Sequence, residues 1–196
     1  MIRATTTHVS LLCRLASGED HDAWRDFESR YGDLIRSFAR RRGLQECDCD
    51  DVVQDVLVAL TRNMPGFRYD PARGRFRGYL KTIAVRMILK KTCQTRGPAG
   101  QQVYDEAAAV AADDSDTESA WEAEWRQHHL RLAMATLRHE FNETDLAAFD
   151  AYAGRGTAPA DVARQLGISV ESVYQAKTRI LRRLRELIAS QTDEEG

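Results

Sequence analysis

The stretch "DVARQLGISVESVYQAKTRILRRLREL", residues 161–187, constrains the fold of this chain more than any other. It reads as two amphipathic helices hinged on Gly167. Thr157 to Pro159 open the first, with proline near the first-turn position, where a missing N–H costs nothing. Val162, Ala163 and Leu166 face inward, and Ala163 has to be small because the next helix crosses close by. Gly167 supplies the left-handed backbone of a tight turn, and Ser169 caps the helix that follows. Val173, Ile180, Leu184 and Leu187 form the inner stripe of that second helix. The register of Ala163, Gly167 and Val173 is the one a DNA-binding helix-turn-helix requires. At ~100° per residue the opposite face carries Glu171, Gln175, Thr178, Arg179 and Arg182, with Ser172 at its edge. Glutamine can pair bidentately with adenine and arginine with guanine. Arg183 and Arg185 lie to the sides, where phosphates flank a groove.

The rest of the chain is also helical in pattern. Trp24, Phe27, Tyr31, Leu34, Ile35 and Phe38 recur at three and four over about 20–42, and Gly43 sits where a C-cap glycine belongs. A second helix starts near Asp48–Asp51, buries Val52, Val53, Val56, Leu57 and Leu60, and stops before Pro65-Gly66. A third runs from Phe76 to about Thr92, with Phe76, Leu80, Ile83 and Met87 on one stripe. Further helices are expected over about 119–141, 145–153, 159–166 and 170–189, and no strand signal competes. The fold class is all-α, with two small helical domains. The expected division is an N-terminal segment 1–19, a first domain 20–96, a flexible acidic linker 97–118, a helix-turn-helix domain 119–190 and a tail 191–196.

Charge follows that division. A net charge of −2 is unexpected for a nucleic-acid binder, but it averages unlike segments. Residues 36–42 and 68–96 are basic, Asp105 to Glu124 holds acids with no basic residue, and basic density returns at Arg179–Arg185. No run of ~20 apolar residues is present, so no membrane insertion is expected. No signal peptide is read, which favours the cytoplasm. Cys13, Cys47, Cys49 and Cys93 lack zinc-site spacing and read as reduced thiols, and His128-His129 reads as a solvated pair. No metal or cofactor is expected. No phosphate-cradling glycine loop and no nucleophile–histidine arrangement appears, which argues against an enzyme.

In the first domain, basic residues lie among Phe67, Tyr69, Phe76 and Tyr79. Such a surface suits single-stranded bases, which stack on aromatics while cations hold the backbone; Phe76 is assigned to the core. Here a resemblance becomes specific. "CDDVVQDVLVAL" is similar to the acidic D-x-x-Q-E/D motif of bacterial sigma factors. "DPARGRFRGYLKTIAVRMILKK" resembles the D-P-x-R-G-x-F-R-x-W-L-x-x-I-A segment that follows it in the sigma-70 family. The helix-turn-helix resembles the last domain of that family, in the same order. The likeness is to the short extracytoplasmic-function (group IV) members, which keep the second and fourth conserved domains.

The resemblance implies a promoter-recognition subunit of core RNA polymerase. By position, Asp51, Gln54 and Asp55 would dock on the β′ clamp helices, and the β flap is a further expected contact on the polymerase. Arg73, Arg75, Arg77, Tyr79, Lys81, Arg86, Lys90 and Lys91 would melt and hold the −10 element of promoter DNA. Ser169, Glu171, Ser172, Gln175, Thr178, Arg179, Arg182 and Arg183 would read the −35 element. An anti-sigma factor is a further possible partner. Tyr79 stands where tryptophan is common and Arg86 where asparagine is common, so the identity of the base captured is open. The alternative is a stand-alone helix-turn-helix regulator whose first domain senses a signal or dimerises.

Overall fold

Aromatics and branched aliphatics at helical spacing build the first core. In the computed structural model, which describes residues 8–17, 20–63, 76–94 and 114–194, every regular element among the described residues is helical. The chain divides into two compact units, one up to Arg126 and the other Gln127–Asp193.

The first unit contains α1 (His8–Ala16), α2 (His21–Arg41), α3 (Glu46–Asn63), α4 (Phe76–Gln94) and the opening turns of α5 (Ser115–Glu140). Asp20 caps α2 by accepting from the Ala23 N–H at 2.9 Å. Phe27, Tyr31, Leu34, Ile35 and Phe38 of α2 are fully buried, and Gly43 ends the helix with φ +90°, as its position suggests. α3 starts slightly earlier than expected, with Glu46 and Asp48 in its first turn, where acids suit the positive end of the helix dipole. It buries Val52, Val53, Val56 and Leu60. On α4, Phe76, Leu80 and Ile83 are buried, and Phe76 meets Phe27 edge-on at 6.1 Å.

Two features of this unit differ from the sequence expectation. The N-terminal segment is not featureless: α1 buries Leu11, Leu12 and Leu15. Arg14 ties α1 down through Asp20 (2.7 Å) and Asp26 (3.0 Å). The Arg14 hydrogen bond, with that from the Ala23 N–H, holds the Asp20 carboxyl down at about 2. The second difference concerns Trp121 and Trp125, which the sequence places in the helix-turn-helix domain. Both are buried in the first core, where Trp121 meets Phe38 at 5.0 Å and Trp125 stacks on Tyr31 at 6.3 Å. The break between units therefore falls after Arg126, and residues 115–118, expected in the linker, are helical.

The second unit holds the rest of α5, then α6 (Glu143–Phe149), a π-helical turn (Asp150–Gly154), α7 (Pro159–Leu166) and α8 (Val170–Glu194). Asn142 caps α6 by accepting from the Asp145 N–H at 2.8 Å. The helix expected over 145–153 thus begins earlier and ends in a π-helical turn. The core of this unit is Ala148, Ala151, Val162, Ala163, Val173 and Ala176, with Tyr152, Leu166 and Ile168 against it. So many alanines let the helices approach closely. His128 and His129, expected in solvent, are buried instead, and His129 Nδ1 lies 3.0 Å from Gln191 Oε1. Burial follows from their place on α5, whose neighbours Ala133 and Leu137 are also buried.

Candidate nucleic-acid interface

The helix-turn-helix has the local geometry its residues require. Pro159 occupies the first turn of α7, and Gly167 ends α7 in the left-handed region at φ 65°, ψ 32°. The Ser172 N–H donates to Ser169 Oγ at 3.0 Å, capping α8, and the two hydroxyls lie 2.8 Å apart. Val173 and Ile180 are fully buried, and Leu184 and Leu187 half-buried, so the opposite face of α8 is turned outward. A Cβ built on Gly167 would have nothing within 4 Å, so substitution there costs backbone strain and no clash. Gly167→Val is expected to cost the second unit ~2 kcal/mol or more. Thermal unfolding and binding to duplex DNA should both report it. Unchanged melting and unchanged DNA recognition would place the turn elsewhere.

Gln175, Thr178, Arg179 and Arg182 are exposed on the outer face together with Glu171, whose carboxylate accepts from Gln175 Nε2 at 3.2 Å. Ser169 and Ser172 serve the cap. Arg179 Nη2 donates to both carboxylate oxygens of Asp145 at 3.0 Å, and Arg183 makes a two-pronged pair with Glu140 at 2.7 Å. That pair holds the Glu140 carboxyl below its ordinary value and the Arg183 guanidinium above its own. Asp145 and Glu140 lie 34 and 43 positions from their partners, and nothing in the sequence points to them. Val170 and Tyr174 are also exposed, with Tyr174 edge-on to Tyr152 at 5.5 Å and Lys177 over the Tyr152 ring at 4.4 Å. Neither Val170 nor Tyr174 was picked out by the arithmetic of the polar face.

α4 distributes its basic residues over different faces. At ~100° per residue Tyr79, Arg86 and Lys90 fall on one line, while Arg77 and Lys81 lie on the far side of the helix. The structure uses that far side for α5. Arg77 pairs with Glu122 and, at 3.7 Å, with Glu118, and its guanidinium lies 5.5 Å above the Trp125 ring. Lys81 pairs with Glu118. The two side chains keep only 21% and 13% exposure. Tyr79 is half-buried against the core, 6.4 Å from Phe76, and burial raises its phenol above the ordinary value. Arg86 is exposed. Arg73 and Arg75, with the aromatics Phe67 and Tyr69, lie outside the described residues.

Asp51, Gln54 and Asp55 share the outward side of α3, opposite Val52, Val56 and Leu60. Two of them already have partners on α4. Asp51 meets Lys91 at 2.5 Å and Asp55 meets Lys90 at 3.3 Å, while Gln54 reaches Glu28 at 3.5 Å. The hydrogen bond to Asp51 raises the Lys91 ammonium above its ordinary value. Cys47 and Cys49 diverge: Cys47 is exposed, whereas Cys49 is buried and its thiol is pushed up by burial. Among the described residues no cluster of three potential metal ligands occurs, and no helix is long and apolar enough to cross a membrane.

Residues 29–92 match the Sigma-70 region 2 family. The match spans α3, α4 and most of α2. The chain is 26% identical over 184 residues to the RNA polymerase sigma factor NccH of Alcaligenes xylosoxydans xylosoxydans, covering 91% of this chain and 94% of that protein. It is also similar to CnrH, whose structure was solved in complex with the cytosolic domain of CnrY. There the identity is 22% and the TM-score 0.38, over 94% of this chain and 98% of that one. The first unit thus carries a Sigma-70 region 2 domain, and over nearly its whole length the chain is similar to an RNA polymerase sigma factor.

Proposed function

We propose that this protein brings core RNA polymerase to promoters that carry both a −10 and a −35 element. α8 enters the major groove of the −35 element, with Gln175, Thr178, Arg179 and Arg182 toward the base edges and Arg183 at the backbone. Tyr79, Arg86 and Lys90, aligned on one face of α4, hold the separated −10 strand together with Arg73 and Arg75, which precede them in the sequence. Opening a duplex costs a few kcal/mol for each base extruded, so a stacking and cationic surface has to be ready for the strand. Arg77 and Lys81 reach that strand only where they part from Glu122 and Glu118; otherwise they hold α5 in place. Asp51, Gln54 and Asp55 orient the first unit on the β′ clamp helices through charge complementarity. The second domain begins where α5 leaves the first core, after Arg126.

The observation that carries this reading is the left-handed Gly167 turn leading into a capped α8 whose polar face is turned outward. Run-off transcription on the source genome, with and without added core polymerase, tests it. Discrete transcripts that need both proteins, from start sites sharing two upstream elements at fixed spacing, are expected. A chain that finds its DNA sites equally well alone and directs no transcripts with core polymerase is a stand-alone regulator.

A further inference from the structure

Arg179 is long, half-exposed and on the outer face of α8, at the edge nearest Arg183, yet it is not left to wander. Its Nη2 donates to Oδ1 and Oδ2 of Asp145, both at 3.0 Å. The Asp145 side chain is only 16% exposed, against 52% for Arg179, so the anchor is set into the domain while the guanidinium stands out from it. The anchor is itself held. Asn142, the cap of α6, accepts from the Asp145 N–H at 2.8 Å, and its amide donates to Asp145 Oδ2 at 3.0 Å. Asn142, Asp145 and Arg179 thus form a chain of hydrogen bonds running from the start of one helix to the outer face of another.

We propose that Asp145 is a positioning residue for base recognition: it aims the Arg179 guanidinium at a guanine edge in the −35 element. The proposal rests on the reading that α8 enters that element. A guanidinium has five N–H donors in a fixed plane, and the contacts to Asp145 run through Nη2 alone; the two oxygens sit close enough together to share one Nη2 hydrogen, which leaves the other to form a parallel fork with Nε–H or Nη1–H for a base. Guanine offers the matching pair of acceptors, O6 and N7, in the major groove. Holding a flexible arginine near its bound rotamer before DNA arrives removes part of the ordering cost of binding, and that gain falls on the matched base alone. The carboxylate would repel phosphate if it stood by itself; paired with Arg179 and Asn142 and set below the surface, its charge is offset. Glu140 holds Arg183 in the same manner, but Arg183 lies at the flank of the face, where a contact is to backbone and carries no sequence information.

The test is selection from a promoter library randomised across the −35 element, using holoenzyme assembled from core polymerase and the full chain. Wild type, D145A, D145N, R179A, the D145A/R179A double variant and E140A are compared, with thermal melts as the control for folding. D145A is expected to relax preference about fivefold at the same base pair that R179A relaxes. The double variant should relax it no further than R179A, since Asp145 acts through Arg179. D145N, which keeps an acceptor for Nη2, should retain most of the preference. E140A should weaken binding without changing the preferred sequence. A D145A logo identical to wild type, with R179A relaxed, makes Asp145 merely structural and overturns the proposal. A sharper preference in D145A means that the carboxylate competes with the base, which overturns it as well. If R179A itself leaves the logo unchanged, the assignment of Arg179 to the reading face fails, and the positioning role fails with it. Should D145A melt at the assay temperature, D145S takes its place under the same expectations.

Discussion

Trp121→Ala is expected to destabilise the first unit by ~3–5 kcal/mol, the usual cost of truncating a large aromatic in a core. Trp121 is fully buried there and meets Phe38 edge-on at 5.0 Å, with Trp125 at 5.7 Å. The loss should not stop at packing. The opening turns of α5 carry Glu118 and Glu122, so dislodging them takes the partners away from Lys81 and Arg77. Urea unfolding followed by far-ultraviolet circular dichroism measures the effect without depending on the tryptophans themselves. A cost below ~1 kcal/mol, the level of an ordinary surface substitution, would mean that Trp121 does not belong to this core.

The combined change Asp51→Asn, Gln54→Ala and Asp55→Asn is expected to abolish capture of core polymerase while leaving the fold intact. Neutral replacements are the right choice because Asp51 and Asp55 face Lys91 and Lys90; lysines at those positions would set like charges against each other inside the domain. Losing two largely exposed ion pairs costs the fold at most ~1 kcal/mol each. Removing one side of a desolvated charge pair at an interface costs ~2–5 kcal/mol. At the lower end that is already roughly a thirtyfold loss in affinity. A pull-down titration against core polymerase, beside a thermal melt, separates the two effects. Wild-type capture by a folded triple variant would sink the docking assignment and leave the two proposed DNA-reading surfaces to be judged separately.

How far the sequence reaches depends on the distance over which each feature is decided. The helix-turn-helix was legible because every part of it is local. A cap bonds three residues along the chain, a left-handed glycine is a property of one backbone position, and the inner stripe of α8 repeats within a turn. The outward side of α3, with Asp51, Gln54 and Asp55 opposite three buried aliphatics, was legible for the same reason. α1 was within reach too, since Leu11, Leu12 and Leu15 share one side of a helical turn, but a short helix signals weakly and is stable only when packed. The basic residues of α4 were read as one surface because they are close in sequence; helical periodicity alone would have put Arg77 and Lys81 opposite Tyr79, Arg86 and Lys90.

What tertiary structure alone decided is where side chains distant in sequence meet. Trp121 and Trp125 could fill either core as far as composition goes, and shape complementarity to Tyr31 and Phe38 placed them in the first. The same docking brought Glu118 and Glu122 onto Arg77 and Lys81, turning part of an expected linker into a helical layer of that unit. His128 and His129 were buried by their place on α5, a result no local polarity rule anticipates. Asp145 and Arg179 are 34 positions apart and carry no motif in common. By itself the sequence determined an all-helical chain and a turn with an outward polar helix, because backbone conformation and helical period are set by neighbouring residues. Which arginines are held, and by which acids, depended on the packing of whole helices, and so was decided only when the chain closed on itself.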